Sequence, residues 1–343
     1  MAIPGDETER LVPPLEFGPD MLEQHAAQFR DALIVTMEVP WEAFSKRVDV
    51  EAAEPLMVQT MEREIVEATE QNLPPVDTVV GLGGGMALDM AKYVAWKRNA
   101  RLILIPSIMS VDACVTREVA IREGSRVRYV GDVRPEVVVV DYELIRGAPA
   151  RLNRAGAGDI LSIHTALFDW KLAHNERGER YDPDIADRAS YALNSLMTGW
   201  RDIRDVTDDG IRLLAELFAE VNELCFRFGN SRPEEGSEHF WAYNVEYLTG
   251  RQFIHGELVC LGVVLMAGLQ DNLADEVHRF LEKAGVRYRP EDLRLSKDDV
   301  VRSLLSLKEY VVKESLVFSI VNTAVIDAGT VDGILSRFLT NGD

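Results

Sequence analysis

Val76–Lys92 reads VDTVVGLGGGMALDMAK, and its reading decides the architecture of the N-terminal half. Val76–Gly81 is β-branched and apolar, as a buried strand requires. It runs straight into glycines at 81, 83, 84 and 85, and Met86–Lys97 follows with the character of a helix. A strand, a glycine-rich turn and a helix start in that order let backbone N–H groups face an anion. The usual dinucleotide spacing GxGxxG fails, because Met86 or Leu88 stands at the third glycine position. Two readings stay open for the turn: anion binding, or only a tight bend with close helix–strand packing. Asp89 and Lys92, spaced i,i+3, either pair on one helix face or serve the same turn.

Working outward, Ala32–Met37, Leu102–Ile105 and Glu136–Val140 read as further buried strands, with Pro106 closing the second. A helix is expected near Asp20–Arg30 after a loose lead-in, and another over Glu54–Gln71, where Leu56, Met57, Met61, Ile65 and Val66 keep helical spacing. Residues 39–55 carry no clear strand. Alternating strands and helices predict a parallel sheet covered by helices. Thr116–Val130 alternates around Gly124-Ser125 and predicts a hairpin bearing Arg117, Arg122, Arg126 and Arg128, either a solvated face or a phosphate contact. Beyond Gly147-Ala-Pro149 the character changes. The segments 158–175, 183–204, 207–228, 234–249, 254–270, 272–285 and 297–312 all have helical period. The expected fold class is therefore α/β plus all-α, with a parallel-sheet domain over 1–150 and a helical domain over 151–343.

The 343 residues suffice for two domains, each with its own core. A net charge of −20 argues against nucleic acid or an anionic membrane as partner, since both select Lys/Arg surfaces. Three widely spaced cysteines, Cys114, Cys225 and Cys260, fit a reducing compartment and exclude a cysteine-rich zinc site. The polar N-terminus is no signal peptide, and the longest apolar run, Leu258–Leu269, is too short to span a bilayer. These features predict a cytoplasmic protein with a small-molecule ligand.

Asn230–Gly262, NSRPEEGSEHFWAYNVEYLTGRQFIHGELVCLG, holds two of the six histidines, His239 and His255. Pro233 and Glu234-Glu235 suit a helix start and Gly250 its stop, while a second apolar helix runs from near Phe253 to Gln270. Each imidazole then sits on its own helix near a helix–helix contact. Either both are core histidines, or they converge on one ion.

The pattern GGGxxxDxxK resembles the metal-dependent dehydrogenase superfamily of iron-containing alcohol dehydrogenases, glycerol dehydrogenase and glycerol-1-phosphate dehydrogenase, whose structural cousin is 3-dehydroquinate synthase. Three further segments carry the same resemblance. Pro106-Ser-Ile-Met-Ser-Val-Asp112 is similar to the family's P-T-x-x-S-x-D; Ala155–Asp159 contains G-x-G-D; Ser231–His239 is similar to the glycerol-1-phosphate dehydrogenase motif S-R-P-x-S-G-x-E-H. His255-Gly-Glu is shared with the synthases as well. The resemblance implies that Gly83, Gly84 and Gly85 hold the pyrophosphate of NAD or NADP, with Asp89, Lys92, Ser107, Ser110 and Thr116 as further cofactor contacts. It implies that Asp159, His239 and His255 hold one divalent ion, Zn²⁺ or Fe²⁺. Such an ion polarises a carbonyl, or lowers an alcohol's pKa for hydride transfer. The substrate, a small polyol or a sugar or polyol phosphate, is expected between the two halves. Asp112 is expected to touch it or relay a proton; the competing reading is an Asx turn. Glu238 and Glu257, flanking the ligands, are expected to support them or face solvent. The resemblance also carries an expectation of a homo-oligomer.

The sequence departs from the family in three places. Tyr243 stands four residues after His239, where the family has a second histidine beside the substrate, so the expected substrate is not simply glycerol 1-phosphate. The acidic residue that holds the adenosine ribose falls at Met37, with Glu38 one place on. Met86 replaces a small hydroxyl residue. A cyclase like dehydroquinate synthase would carry Glu at Asp159 and a lysine soon after, whereas Gly158-Asp-Ile-Leu-Ser162 has neither. A relative that binds ligand without turnover is the third reading, against which Asp159, His239 and His255 stand intact.

Overall fold

The computed structural model describes residues 11–49, 54–124 and 126–338. Among them are two compact units. One comprises the chain up to Asn153 with Val206–Glu223; the other comprises Arg154–Asp205 with the chain from Leu224 onward. The segment 206–223, expected in the helical half, belongs to the first unit.

The first unit is built on a parallel sheet of six strands: β1 (Leu15–Gly18), β2 (Leu33–Thr36), β3 (Leu56–Met57), β4 (Thr78–Gly83), β5 (Arg101–Pro106) and β8 (Val137–Asp141), in the order β1-β8-β5-β4-β2-β3. Helices cover both faces, which is why β4, β5 and β8 are continuous apolar runs. Ile34, Val80, Leu82, Ile103, Ile105 and Val139 turn one face toward Leu22, Phe29 and Phe44, from the helices Met21–Phe29 and Glu38–Ser45. On the other face the helix Gly85–Arg98 lies so close that a Cβ on Gly81 would stand 2.7 Å from that of Ala91. β6 (Glu118–Glu123) and β7 (Arg126–Asp132) form the antiparallel hairpin. Its turn residue Ser125 lies outside the described residues, as do the first ten residues of the lead-in and positions 50–53.

Two expectations are corrected. Glu54–Gln71 is not one helix. Leu56–Met57 pairs with β2, the Val58 N–H donates to Thr36 O at 2.8 Å, and the helix spans only Arg63–Gln71. The helical spacing before Arg63 reports burial along an extended edge, where Met61 is 4 % exposed. β1, which the sequence reading missed, is a four-residue edge strand registered Leu15↔Val138; four residues are too few for a periodic signal.

The second unit is helical. Its centre is His255–Gln270, with 13 of 16 residues buried, an apolar-all-round helix of the kind found only inside a core. Ile163–Arg177, Ser237–Thr249, Ala274–Ala284 and Lys297–Lys313 belong to the same unit. The expected helix 183–204 is divided at Gly199 into Pro183–Thr198 and Trp200–Asp205. Gly250 ends Ser237–Thr249 in the left-handed region, at φ 63°. No helix of the described residues is long and apolar enough to cross a membrane.

Candidate metal and cofactor site

Asp159, His239 and His255 come from three helices of the second unit: Ala157–Leu161, Ser237–Thr249 and His255–Gln270. One ligand atom from each lies within 4.8 Å of the others. His255 Nε2 stands 3.4 Å from Asp159 Oδ1, and the two imidazole centroids are 5.3 Å apart. Asp159 and His239 are buried, whereas His255 is half-buried.

Glycines make this convergence possible. A Cβ on Gly158 would stand 2.4 Å from Gly256 O and 2.6 Å from Gly256 Cα, so the backbones beside Asp159 and His255 touch directly. A Cβ on Gly262 would meet Glu238 O at 2.7 Å, which brings the His239 helix equally close to the same central helix. Motif glycines next to the ligands thus act through space: any side chain would hold the ligands apart.

A buried carboxylate then orients His239. Glu238 is fully buried; Oε1 lies 2.8 Å from His239 Nδ1 and accepts from Gly236 N at 2.6 Å, while Oε2 accepts from the Thr165 hydroxyl at 2.6 Å. With Nδ1 engaged, Nε2 is the nitrogen of His239 that can ligate, as in carboxylate–histidine–metal arrangements. Asp169, buried one turn beyond Thr165, accepts from Ser237 N at 2.8 Å and Ile320 N at 2.7 Å, and so fixes the start of the His239 helix. The sequence reading missed Thr165 and Asp169. Their only signal was two polar residues four apart on a helix of otherwise buried character.

The electrostatics favour a cation at the cluster. Burial alone would pull the His239 pKa down, but Glu235, Glu238 and Asp159 outweigh it and raise it to about 9. The same carboxylates that raise it would be relieved by a divalent ion. Two imidazoles and a carboxylate suit Zn²⁺ or Fe²⁺, and three protein ligands leave a coordination position for substrate oxygen. Cys260, buried beside Asp159 and Glu257, has its thiol pushed well above the usual range by burial first.

In the first unit the sheet order reverses between β2 and β4, the place where open parallel sheets take ligands. The glycine turn stands at that point. Gly83 has φ 150°, a conformation that side chains rarely adopt, and a Cβ on Gly84 would meet Ile108 Cδ1 at 2.9 Å. Gly84 O takes the N–H groups of Ala87 and Leu88, so those of Gly85 and Met86 precede the first internal bond of the 14-residue helix Gly85–Arg98. Ser107 N donates to Gly83 O at 3.0 Å, and Met109 N to Asn153 Oδ1 at 2.8 Å, holding 106–112 beside the turn. Ser107 is buried; Ser110 and Thr116 are half-buried, and the Thr116 hydroxyl accepts from Glu118 N at 3.3 Å. Glu38, at the start of the helix after β2, is exposed.

Asp89 and Lys92 pair on one helix face, one of the two arrangements open to them in the sequence. Lys92 is 0 % exposed; its Nζ pairs with Asp89 Oδ1 at 2.7 Å and donates to Glu118 O at 2.8 Å. The ammonium ties the helix to the hairpin base. Asp112 begins the short 3₁₀ turn Asp112–Cys114 and accepts from Asn222 Nδ2 at 2.8 Å; its backbone carbonyl takes the Val115 N–H. On the hairpin, Arg117 pairs with Asp132 and Arg128 with Glu123.

Comparison with known proteins agrees with this architecture. Residues 16–149 match the family model described as iron-containing alcohol dehydrogenase. A glycerol-1-phosphate dehydrogenase [NAD(P)+] of Hyperthermus butylicus is 32 % identical over 289 residues, covering 84 % of this chain and 79 % of that protein. Its counterpart in Staphylothermus marinus is 30 % identical, over 75 % of this chain and 72 % of that protein. A probable glycerol dehydrogenase from Sinorhizobium meliloti 1021 shares the fold, with TM-score 0.71 and 21 % identity over 95 % of this chain and 96 % of its own. The chain belongs to the superfamily of iron-containing alcohol dehydrogenases and glycerol-1-phosphate dehydrogenases, NAD(P)-dependent oxidoreductases that act on alcohol groups.

Proposed function

We propose that this chain interconverts a small polyol, or a polyol phosphate, and the corresponding carbonyl compound with NAD or NADP, using a divalent ion held by Asp159, His239 and His255. The observation that carries the reading is the convergence of those three side chains within 4.8 Å. When bound, the ion supplies Lewis acidity to an alcohol or carbonyl oxygen, and the nicotinamide supplies the hydride acceptor or donor.

The chain's own residues do the remainder. Glu238 keeps a proton on His239 Nδ1 and so offers Nε2 outward. The Gly83–Gly85 turn admits a pyrophosphate against the N–H groups of Gly85 and Met86. Ser107, Ser110 and Thr116 line the segments beside that turn and would contact the nicotinamide side of the dinucleotide. Asp112, oriented by Asn222, would accept a hydrogen bond from a substrate hydroxyl, and Tyr243 would contact the substrate's far end. Zn²⁺ and Fe²⁺ both fit the donor set.

The test is turnover. Protein reconstituted with Zn²⁺ or Fe²⁺ should change absorbance at the reduced-nicotinamide band with glycerol, glycerol 1-phosphate or their keto counterparts. His255→Ala should lose both the activity and about one ion per chain. Retention of the ion in that variant would defeat the ligand set, and absence of any redox change would defeat the dehydrogenase reading.

A further inference from the structure

Tyr243, one of the departures from the glycerol-1-phosphate dehydrogenase pattern, touches a second residue that differs from the motif quoted for it, Glu235. The motif S-R-P-x-S-G-x-E-H has serine at its fifth place, where this chain has Glu235. Tyr243 stands where the resemblance leads one to expect a histidine, and its hydroxyl lies 3.4 Å from Glu235 Oε1. The other oxygen of Glu235 accepts from the Ser231 hydroxyl at 3.1 Å. The Tyr243 ring is 6.0 Å from the His239 ring, centroid to centroid, so the pair stands beside the metal cluster. Glu235 is also near enough to act electrostatically on His239.

The charge count at the cluster follows. Asp159 and Glu238 already bring two buried carboxylates to the cluster, and the buried Glu257 follows His255 by two residues. Glu235 adds further negative charge, half-buried at the edge of the site. The motif's arginine does not offset it: Arg232 is 3 % exposed, with Nη2 on Glu179 Oε2 at 2.5 Å and Nη1 donating to Phe318 O at 2.8 Å. A phosphate dianion arriving beside Tyr243 would meet a carboxylate and a phenol, where a serine and a histidine would have offered hydrogen-bond donors. Like charges within several ångströms in partly desolvated surroundings oppose binding strongly enough to set selectivity. Hydroxyl groups are served well by the same pair, since Glu235 accepts and Tyr243 both donates and accepts.

We infer that Glu235 and Tyr243 make this site selective for an unphosphorylated substrate, a neutral polyol or its keto form, and exclude the phosphorylated one. The inference rests on the proposed dehydrogenase function and narrows its substrate class.

The experiment compares kcat/KM for dihydroxyacetone and dihydroxyacetone phosphate in the zinc-reconstituted enzyme with NADH and NADPH, and titrates inorganic phosphate as an inhibitor. Wild type should favour the unphosphorylated ketone by about tenfold or more, with no competitive inhibition by phosphate. Glu235→Ser and Glu235→Gln should each shift the ratio toward the phosphate ester by about tenfold, chiefly through its KM. Glu235→Ser combined with Tyr243→His should shift it further and make phosphate a competitive inhibitor. Metal content of each variant reports whether the cluster is intact. Preference for the phosphate ester in wild type, or a ratio unmoved in metal-replete Glu235 variants, overturns the inference and leaves the dehydrogenase function standing. No turnover of either ketone overturns both.

Discussion

Replacing Gly158 by alanine probes how the metal ligands are held together. The added Cβ would stand 2.4 Å from Gly256 O, 2.6 Å from its Cα and 2.8 Å from its carbonyl carbon. All three are backbone atoms, so no side-chain rotation relieves the clash. Ordinary contact begins near 3.4 Å, so the two backbones must separate by about 1 Å. Alanine gains ~1 kcal/mol over glycine in helix propensity. Overpacking of this kind costs ~1–3 kcal/mol, so the folded apoprotein should be destabilised modestly. The effect on metal should be larger, because Asp159 and His255 are the neighbours of the two touching glycines. Ligand distances tolerate only about 0.2 Å, and a separation five times that should lower zinc affinity by at least about 10–100-fold. The assay is zinc content after dialysis, competition with a chromogenic chelator, and melting with and without zinc. Gly333→Ala is the control. It sits inside the helix Ala328–Phe338 with nothing within 4 Å of its Cβ, and should stabilise slightly, by ~0.5–1 kcal/mol. Wild-type zinc affinity in Gly158→Ala would refute the claim that backbone contact sets the ligand geometry.

Other substitutions test the surrounding chemistry. Glu238→Gln should weaken zinc binding about 10–100-fold while the protein still folds, since one amide oxygen cannot serve His239, Thr165 and Gly236 together; chelator competition reads this directly. Burial raises the Asp169 pKa to about 6, against 3.8 for the ordinary carboxylate, so its contribution to stability is full below 3.8 and is lost as pH rises through about 6. Denaturant titrations should therefore show wild type losing about 3 kcal/mol relative to Asp169→Asn between pH 3.5 and pH 7; a pH-independent difference would contradict the assignment. Lys92→Met should destabilise by ~3–5 kcal/mol, because it strands Asp89 in a site where burial already raises its pKa, and Asp89→Asn in the same chain should recover much of the loss.

Much of this was legible in the sequence. Val76–Lys92 announced the strand, turn and helix because β-branched burial and glycine punctuation are local signals, and Gly250 marked its helix end for the same reason. The motif around Asp159, His239 and His255 named side chains that the fold brings within 4.8 Å. What sequence could not supply was long-range. The i,i+3 spacing of Asp89 and Lys92 allowed their pairing, but the hairpin carbonyl of Glu118 that also takes the Lys92 ammonium lies 26 residues on and carries no local signal. The parallel pairing of Leu56–Met57 depends on β2, some twenty residues earlier, so helical spacing alone misled. Gly158 and Gly256 read as motif letters, but their direct backbone contact appears only when two helices nearly a hundred residues apart are packed. Thr165 and Asp169 carry no motif; their meaning comes from Glu238 and Ser237 across the unit.

The most direct test of the metal centre is anomalous diffraction from crystals grown with zinc, recorded on both sides of the zinc absorption edge. One strong peak per chain is expected within about 2.0–2.2 Å of an Asp159 carboxylate oxygen, His239 Nε2 and a His255 ring nitrogen. A peak elsewhere, or none at that cluster at saturating zinc, would contradict it.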